Sequence, residues 1–406
     1  MQQHFKPITR FQFSQSIFKI RRVYSGVYVI VISKRQFNRT NRPPLATVIK
    51  LIIIKNRGCG NKFIPWKHLV PMPLADHENI PQNNSHDNKK DAKSARCFQK
   101  LSNKSIFSLR ALVEGGHEVI GAVTQPDKPK GRGKAMTAPP VKVYAECVGI
   151  PVYQPDTMKD GAFLETLRAL DPELIVVTAY GKILPSYILD YPRYGCLNVH
   201  GSLLPEYRGA APMQRAIMEG QTKTGVTIMY MDVGLDTGDM LLKKTLPIGE
   251  NDNFESVHDG LGALGAEALL EAITLLERGD APREKQNDAL STYAAKITKE
   301  DCLLDCTKSA EELHNTARGL SPIPLAFFRL ADGKLLKVLE AQRGSVISEK
   351  EPGTVLALMD NGRAGILVAC GEGSLLLERV VPEGKKPMDA IAFANGRGIK
   401  VGDRLL

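Results

Sequence analysis

From residue 108 onward the chain alternates short apolar runs with stretches at helical spacing. Leu109 to Val113 reads as the end of a helix, stopped by Gly115-Gly116. Val119 to Val123 is a buried strand, Pro140 to Cys147 a helix closed by Gly149, and Pro151 to Tyr153 a short strand. Ala162 to Leu170 is helical and Leu174 to Val177 is wholly apolar. Cys196 to Val199 predicts another short buried strand, Gly209 to Gly220 leads through a helical run, and Gly225 to Met231 is strand-like. Asn253 to Arg278 makes a long helix. Apolar strands without alternation, separated by helices, predict an α/β domain with a parallel sheet covered on both faces. Ligands in such sheets gather at the carboxyl ends of strands. No G-x-G-x-x-G follows a first strand, so the ordinary dinucleotide reading fails.

Residues 280–300 are polar and read as a linker between a domain spanning 108–279 and a second spanning 301–406. Ser309 to Arg318 is a short helix, after which the period switches to two. Ala326 to Arg329, Leu335 to Leu339, Thr354 to Met359, Ala364 to Ala369 and Ser374 to Arg379 are strand-like. Asp360-Asn361-Gly362 and Gly371-Glu372-Gly373 are turn signals between them, and short strands at this spacing suggest a small β-barrel.

Residues 1–107 do not fit this alternation. Their apolar runs, Val27 to Ile32 and Val48 to Ile54, are far too short to span a bilayer. Charge sets the segment apart as well. It holds 20 Lys and Arg against 4 Asp and Glu, a balance of +16, whereas the remainder holds 34 against 40, a balance of −6. The overall +10 therefore belongs to the N-terminal segment, and any nucleic-acid binding by the body rests on local patches. Residues 80–104 have a disordered composition. An acid-poor, basic start would also suit an organellar transit peptide, although no amphipathic period supports one. Seven scattered cysteines make no disulfide framework and suit a reducing, cytoplasmic setting. Cys302 and Cys306 are spaced for a metal but lack a partner pair, so no metal is expected.

The chemistry concentrates between Asn198 and Met240. Asn198 and His200 lie two apart on an extended stretch and point to one side of it. Ser202-Leu203-Leu204-Pro205 ends the strand, because proline cannot continue a ladder. If Gly225 to Met231 neighbours that strand, the acidic loop Asp232 to Asp239 can reach His200. Asn198 and His200 are side chains that can handle protons or hydrogen bonds at a carbonyl. The amide can donate to an oxyanion, the imidazole can shuttle protons, and the carboxylate can orient the imidazole. Asp232 and Asp239 read as loop-structuring, and His117, His258 and His314 as structural. Lys128, Lys130, Arg132 and Lys134, set around Gly131 and Gly133, form a basic loop that is either a solvated connection or a phosphate-binding finger.

This stretch resembles the signature of the folate-dependent formyltransferases, and SLLPEYRGAAP with MDVGLDTGDM is similar to the branch that acts on methionyl-tRNA. The resemblance runs from about Ser108 to the C-terminus. It implies a Rossmann-like catalytic domain followed by an OB-like, tRNA-contacting one, with Asn198, His200 and Asp236 as the catalytic triad. It puts Ser202, Leu203, Leu204 and Pro205 on the folate-contacting turn, and makes Lys128, Lys130, Arg132 and Lys134 a loop that enters the tRNA acceptor end. Lys385, Lys386, Arg397, Lys400 and Arg404 could add a basic face. The implied reaction moves formyl from 10-formyltetrahydrofolate to methionine on initiator methionyl-tRNA, performed by a monomer without a membrane. Formylation of a small amine and a catalytically dead tRNA-binding remnant are the alternatives. The family opens with a strand and a Gly-Thr-Pro-like loop that have no counterpart just before Ser108. Residues 1–107 thus read as a non-native or disordered extension, with Val48 to Ile54 the best substitute strand and the chain as written expected to fold or act poorly.

Overall fold

The computed structural model describes residues 106–130, 135–159, 161–178, 184–396 and 398–406, and the backbone of 28–32. Strand β1 (Tyr28–Ile32) precedes helix α1 (Phe107–Glu114), which leads to β2 (Val119–Thr124). A small hairpin, β3 (Lys128–Lys130) and β4 (Ala135–Thr137), stands where a loop was expected. Helix α2 (Pro140–Cys147), β5 (Val152–Tyr153), α3 (Leu164–Leu170), β6 (Leu174–Thr178), α4 (Ser186–Leu189) and β7 (Cys196–His200) follow. Next come β8 (Arg208–Gly209), α5 (Pro212–Met218), β9 (Lys223–Tyr230), β10 (Met240–Pro247) and α6 (Phe254–Arg278). The main sheet has seven strands in the order β10-β9-β7-β6-β1-β2-β5.

The α/β expectation stands, and the sheet is mixed. Pairs β2–β5 and β6–β7 are parallel, but β7–β9 and β9–β10 are antiparallel. A parallel return needs a helix laid along a sheet face. The one helix between β7 and β9, α5, is only seven residues long; it lends Ile217 to the core and also packs on a helix of the C-terminal domain. Strand β1 fills the slot between β6 and β2 and runs antiparallel to both. Val48–Ile54, the substitute suggested by composition, lies outside the described residues. Burial explains the unbroken apolar runs. Val176 and Leu197 face α1, α2 and α6, while Ile175, Val177 and Cys196 face α3 and α4. Helix α6 starts at a capping box in which Asn253 and Ser256 exchange bonds, and it ends at Gly279 in the left-handed conformation.

Strand β11 (Tyr293–Ala294) lies between the domains, and the second domain contains α7 (Ala310–Leu320), β12 (Ala326–Arg329), β13 (Leu335–Arg343), β14 (Val355–Asp360), β15 (Arg363–Ala369), β16 (Ser374–Pro382), β17 (Met388–Asp389) and α8 (Ala390–Asn395). Its sheet runs β12-β13-β16-β15-β14. The C-terminal tail links the two edges. Leu406 bonds Arg329 on β12, while Leu405 bonds Gly353 and Asp403 bonds Val355 at β14. That closure satisfies edge groups that would otherwise invite pairing with other chains.

Helix α7 docks the two domains. Its Arg318 Nη1 donates to the carbonyls of Gly249 (3.2 Å) and Asp252 (2.9 Å). His314 is 4% exposed at this seam. Burial, and then the charges of Arg318 and Arg343, push its imidazole down to about 4 against the opposing pull of Glu250. The unfolded chain therefore takes up this proton first, near pH 6.5, so stability is lost as pH falls from there toward 4. The whole effect is about 3 kcal/mol. We expect His314→Gln to flatten this window in urea titrations at pH 7 and 4.5, and equal acid slopes in parent and variant would contradict the assignment.

Candidate functional site

Strand β7 ends at the carboxyl edge of the sheet with Asn198 half-buried and His200 6% exposed. In register, Asn198 lies beside Val177 of β6 and Met229 of β9, so its backbone is fixed from both sides. Among the described residues its side-chain amide makes no hydrogen bond, which leaves two N–H donors for a ligand. The His200 ring lies between two oxygens. Nε2 is 3.1 Å from the carbonyl of Tyr207, and Nδ1 is 3.7 Å from Asp236 Oδ2. The carbonyl can only accept, so Nε2 carries a proton. Nδ1 has not closed a hydrogen bond and remains the nitrogen able to exchange one.

Asp236 is brought to this ring by a strained backbone, with φ at +54° in the left-handed region that non-glycine residues seldom occupy. Its Oδ2 accepts from the amide of Gly209 at 2.8 Å. Gly209 sits at φ +117°, and a Cβ there would come within 2.8 Å of the Ala294 carbonyl, so only glycine allows this approach. Gly238 is equally constrained, because a Cβ would fall 1.9 Å from the Tyr230 carbonyl. Asp232 shapes the same loop by accepting from the Gly234 amide (2.8 Å) and the Thr237 hydroxyl (2.7 Å). Asp239 lies 3.8 Å from Arg283, whose guanidinium covers the Tyr230 ring.

The turn after β7 is largely inward-facing. Ser202 and Leu204 are 1% and 2% exposed, so their side chains point inward. Ser202 Oγ donates to the Glu206 carbonyl at 2.6 Å, and Leu204 packs with Met229 and Met240. Buried Thr227 on β9 pins the turn, donating to the Ser202 carbonyl (2.7 Å) and accepting from the Leu204 amide (3.1 Å). Only Leu203 and Pro205 keep part of their surface accessible. Sequence patterning missed Thr227 because a threonine in an apolar strand carries no mark of its partner.

Of the basic loop, Lys128 is exposed on β3 with Nζ 2.6 Å from Gln125 Oε1. The side chains of Lys130, Arg132 and Lys134 lie outside the described residues. Lys385, Lys386 and Lys400 are exposed, but Arg404 is tied to Glu351 at 2.5 Å and to the Pro352 carbonyl; Arg397 is outside the described residues. Cys302 and Cys306 are buried in the C-terminal core, where loss of hydration pushes both thiols up, Cys306 to about 12. No helix among the described residues is long and apolar enough to cross a membrane.

Two family models match the chain, formyl transferase over residues 95–273 and the formyl transferase C-terminal domain over residues 296–398. A methionyl-tRNA formyltransferase of Citrifermentans bemidjiense is 50% identical over 298 residues, covering 73% of this chain and 92% of the relative. Those of Syntrophus aciditrophicus and Bacillus subtilis are each 46% identical, covering 77% and 74% of this chain and 98% and 94% of theirs. The chain belongs to the methionyl-tRNA formyltransferase family. The first family match begins at residue 95, so residues 1–94 lie outside it.

Proposed function

We propose that this chain transfers the formyl group of 10-formyltetrahydrofolate to the amino group of methionine on initiator methionyl-tRNA. The observation that carries the reading is the junction of His200, at the end of β7, with the Asp236 carboxylate, inside a chain half-identical to named members of the family. When bound, the folate supplies the one-carbon acyl group. Leu203, Pro205 and the backbone of the turn pinned by Thr227 would hold it beside His200, and their accessibility at the mouth of the site fits that role.

The chain's own groups divide the work. The Asn198 amide donates toward the oxygen on which charge develops, an effect worth on the order of 10²–10³ in rate. His200 Nδ1 takes or returns protons while Nε2 stays anchored on the Tyr207 carbonyl. Asp236 holds the ring in orientation from 3.7 Å. The attacking nitrogen belongs to the substrate, so no covalent enzyme intermediate and no metal enter the reading.

The decisive assay supplies 10-formyltetrahydrofolate with charged initiator tRNA, charged elongator tRNA or a small free amine. Preferential formylation of charged initiator tRNA is expected. Transfer to the free amine with none to tRNA would overturn the substrate assignment.

For tRNA we propose contacts from Lys128, Lys130, Arg132 and Lys134, with the exposed lysines of the C-terminal domain as a second face. Each phosphate contact adds about 0.7–0.9 to the slope of log affinity against log salt. Replacing all four loop residues with glutamine should reduce that slope by up to about 3 without weakening folate binding. An unchanged slope would make the loop a solvated connection.

A further inference from the structure

The segment expected to be a linker crosses the candidate site. Glu284 exchanges two backbone bonds with Met240, at 2.8 and 2.9 Å, and so fastens to the start of β10. Two residues on, Gln286 uses both ends of its amide. Its Oε1 accepts from Arg208 Nε (3.0 Å) and Nη2 (2.8 Å), and its Nε2 donates to the carbonyls of Asp236 and Gly238, both at 2.8 Å. Arg208 also grips Asp288 at 2.7 Å. Beyond that point the Thr292 hydroxyl accepts from the Tyr207 amide (2.8 Å), and β11 pairs in parallel with β8. The Ala294 carbonyl accepts from Ala210 and Ala211, and the Ala295 carbonyl from Arg215 Nε.

Both contacts of the His200 ring therefore pass through backbone that this strap holds. Tyr207, whose carbonyl faces Nε2, is tied at its amide to Thr292. Asp236, which faces Nδ1, has its left-handed backbone capped by Gln286, while its carboxylate is set by Gly209 from the strand paired to β11. A single strained residue persists only where its surroundings over-determine it. Asp236 is over-determined by a side chain 50 residues away in sequence.

We propose that Gln286 is a positioning residue for Asp236, and that the 284–295 strap, rather than the N-terminal domain alone, completes the active site. This rests on the assignment of His200 and Asp236 in the proposed function. The strap enters directly from α6 and leaves toward Asp301, which Arg215 grips through both carboxylate oxygens at 2.9 and 2.8 Å. The seating of the second domain is thereby linked to the geometry of the carboxylate.

Gln286→Glu isolates the effect. A carboxylate still accepts from Arg208 but cannot donate to the Asp236 and Gly238 carbonyls. We expect kcat to fall about 10²-fold, the scale of a misplacement near 1 Å, with KM for both substrates within about threefold. The same substitution in an Asp236→Asn background should cost less than about threefold more, because a group acting through Asp236 has nothing left to align. A merely structural residue would lower kcat by the same factor in both backgrounds, and that result would overturn the proposal. So would a single variant with parental kcat, or a loss confined to KM. If Gln286→Glu does not melt cooperatively, Gln286→Met, similar in shape and free of all four bonds, carries the same cycle. Asp236→Asn with parental turnover would instead remove the underlying assignment of the carboxylate.

Discussion

His200→Ala and Asp236→Ala are each expected to cut turnover by about 10²–10⁴ while leaving folate affinity within a few-fold. In the proposed mechanism the imidazole at the end of β7, held between the Tyr207 carbonyl and the Asp236 carboxylate, is the proton carrier. Losing it removes proton transfer outright. Losing the carboxylate leaves the ring without its orienting charge and the Gly209 amide without its acceptor. The turn proposed to hold folate is fixed independently, by Thr227 from β9, so binding should survive both changes. Single-turnover formylation of charged initiator tRNA, with folate binding followed by fluorescence, separates the two effects. Turnover within threefold of the parent in either variant would remove His200 and Asp236 from the chemistry.

Ile30→Pro is expected to be the most damaging backbone change. Strand β1 is flanked on both sides, with Ile30 in register with Ala122 of β2 and Val176 of β6. Proline deletes a ladder donor and is excluded from central strands, and the buried acceptor it leaves unpaired costs about 1–3 kcal/mol. A domain stable by about 5–15 kcal/mol would lose a large part of its margin. At roughly 2–4 °C per kcal/mol, melting should drop by roughly 2–12 °C. Ile52→Pro, in the other apolar run, provides the comparison. A drop with Ile52→Pro and none with Ile30→Pro would return the slot to Val48–Ile54, the strand suggested by composition.

That contrast marks where patterning stopped being informative. Val27 to Ile32 and Val48 to Ile54 are both short, apolar and β-branched, and either could satisfy the local requirements of a strand. Which run enters a sheet is settled by the two ladders waiting for it, and those ladders lie more than 85 residues away. Strand β10 was missed for a related reason. A register shift between Met240 and Leu242 breaks the alternation by which a strand declares itself.

The sequence alone determined the features whose causes are local. Helix α6 was legible from its periodicity and the glycine that ends it, and β12 to β16 from alternation and from Asn361-Gly362 at a tight turn. The family resemblance singled out Asn198, His200 and Asp236 as candidates, and α/β alternation put Asn198 and His200 at the end of a strand, where β7 has them. Tertiary structure decided the antiparallel return of β9, the inward turn of Ser202 and Leu204, and the strap across the site. Gln286 shows the physical reason. In sequence it is one polar residue in a polar stretch, with nothing to separate it from a solvated linker. Its role exists only once Arg208, Asp236 and Gly238, from two distant loops, present one guanidinium and two carbonyls that a single amide can join. Hydrophobic periods report which face a residue buries, whereas hydrogen-bond partners across 50 or 78 residues are set by the packing of whole elements.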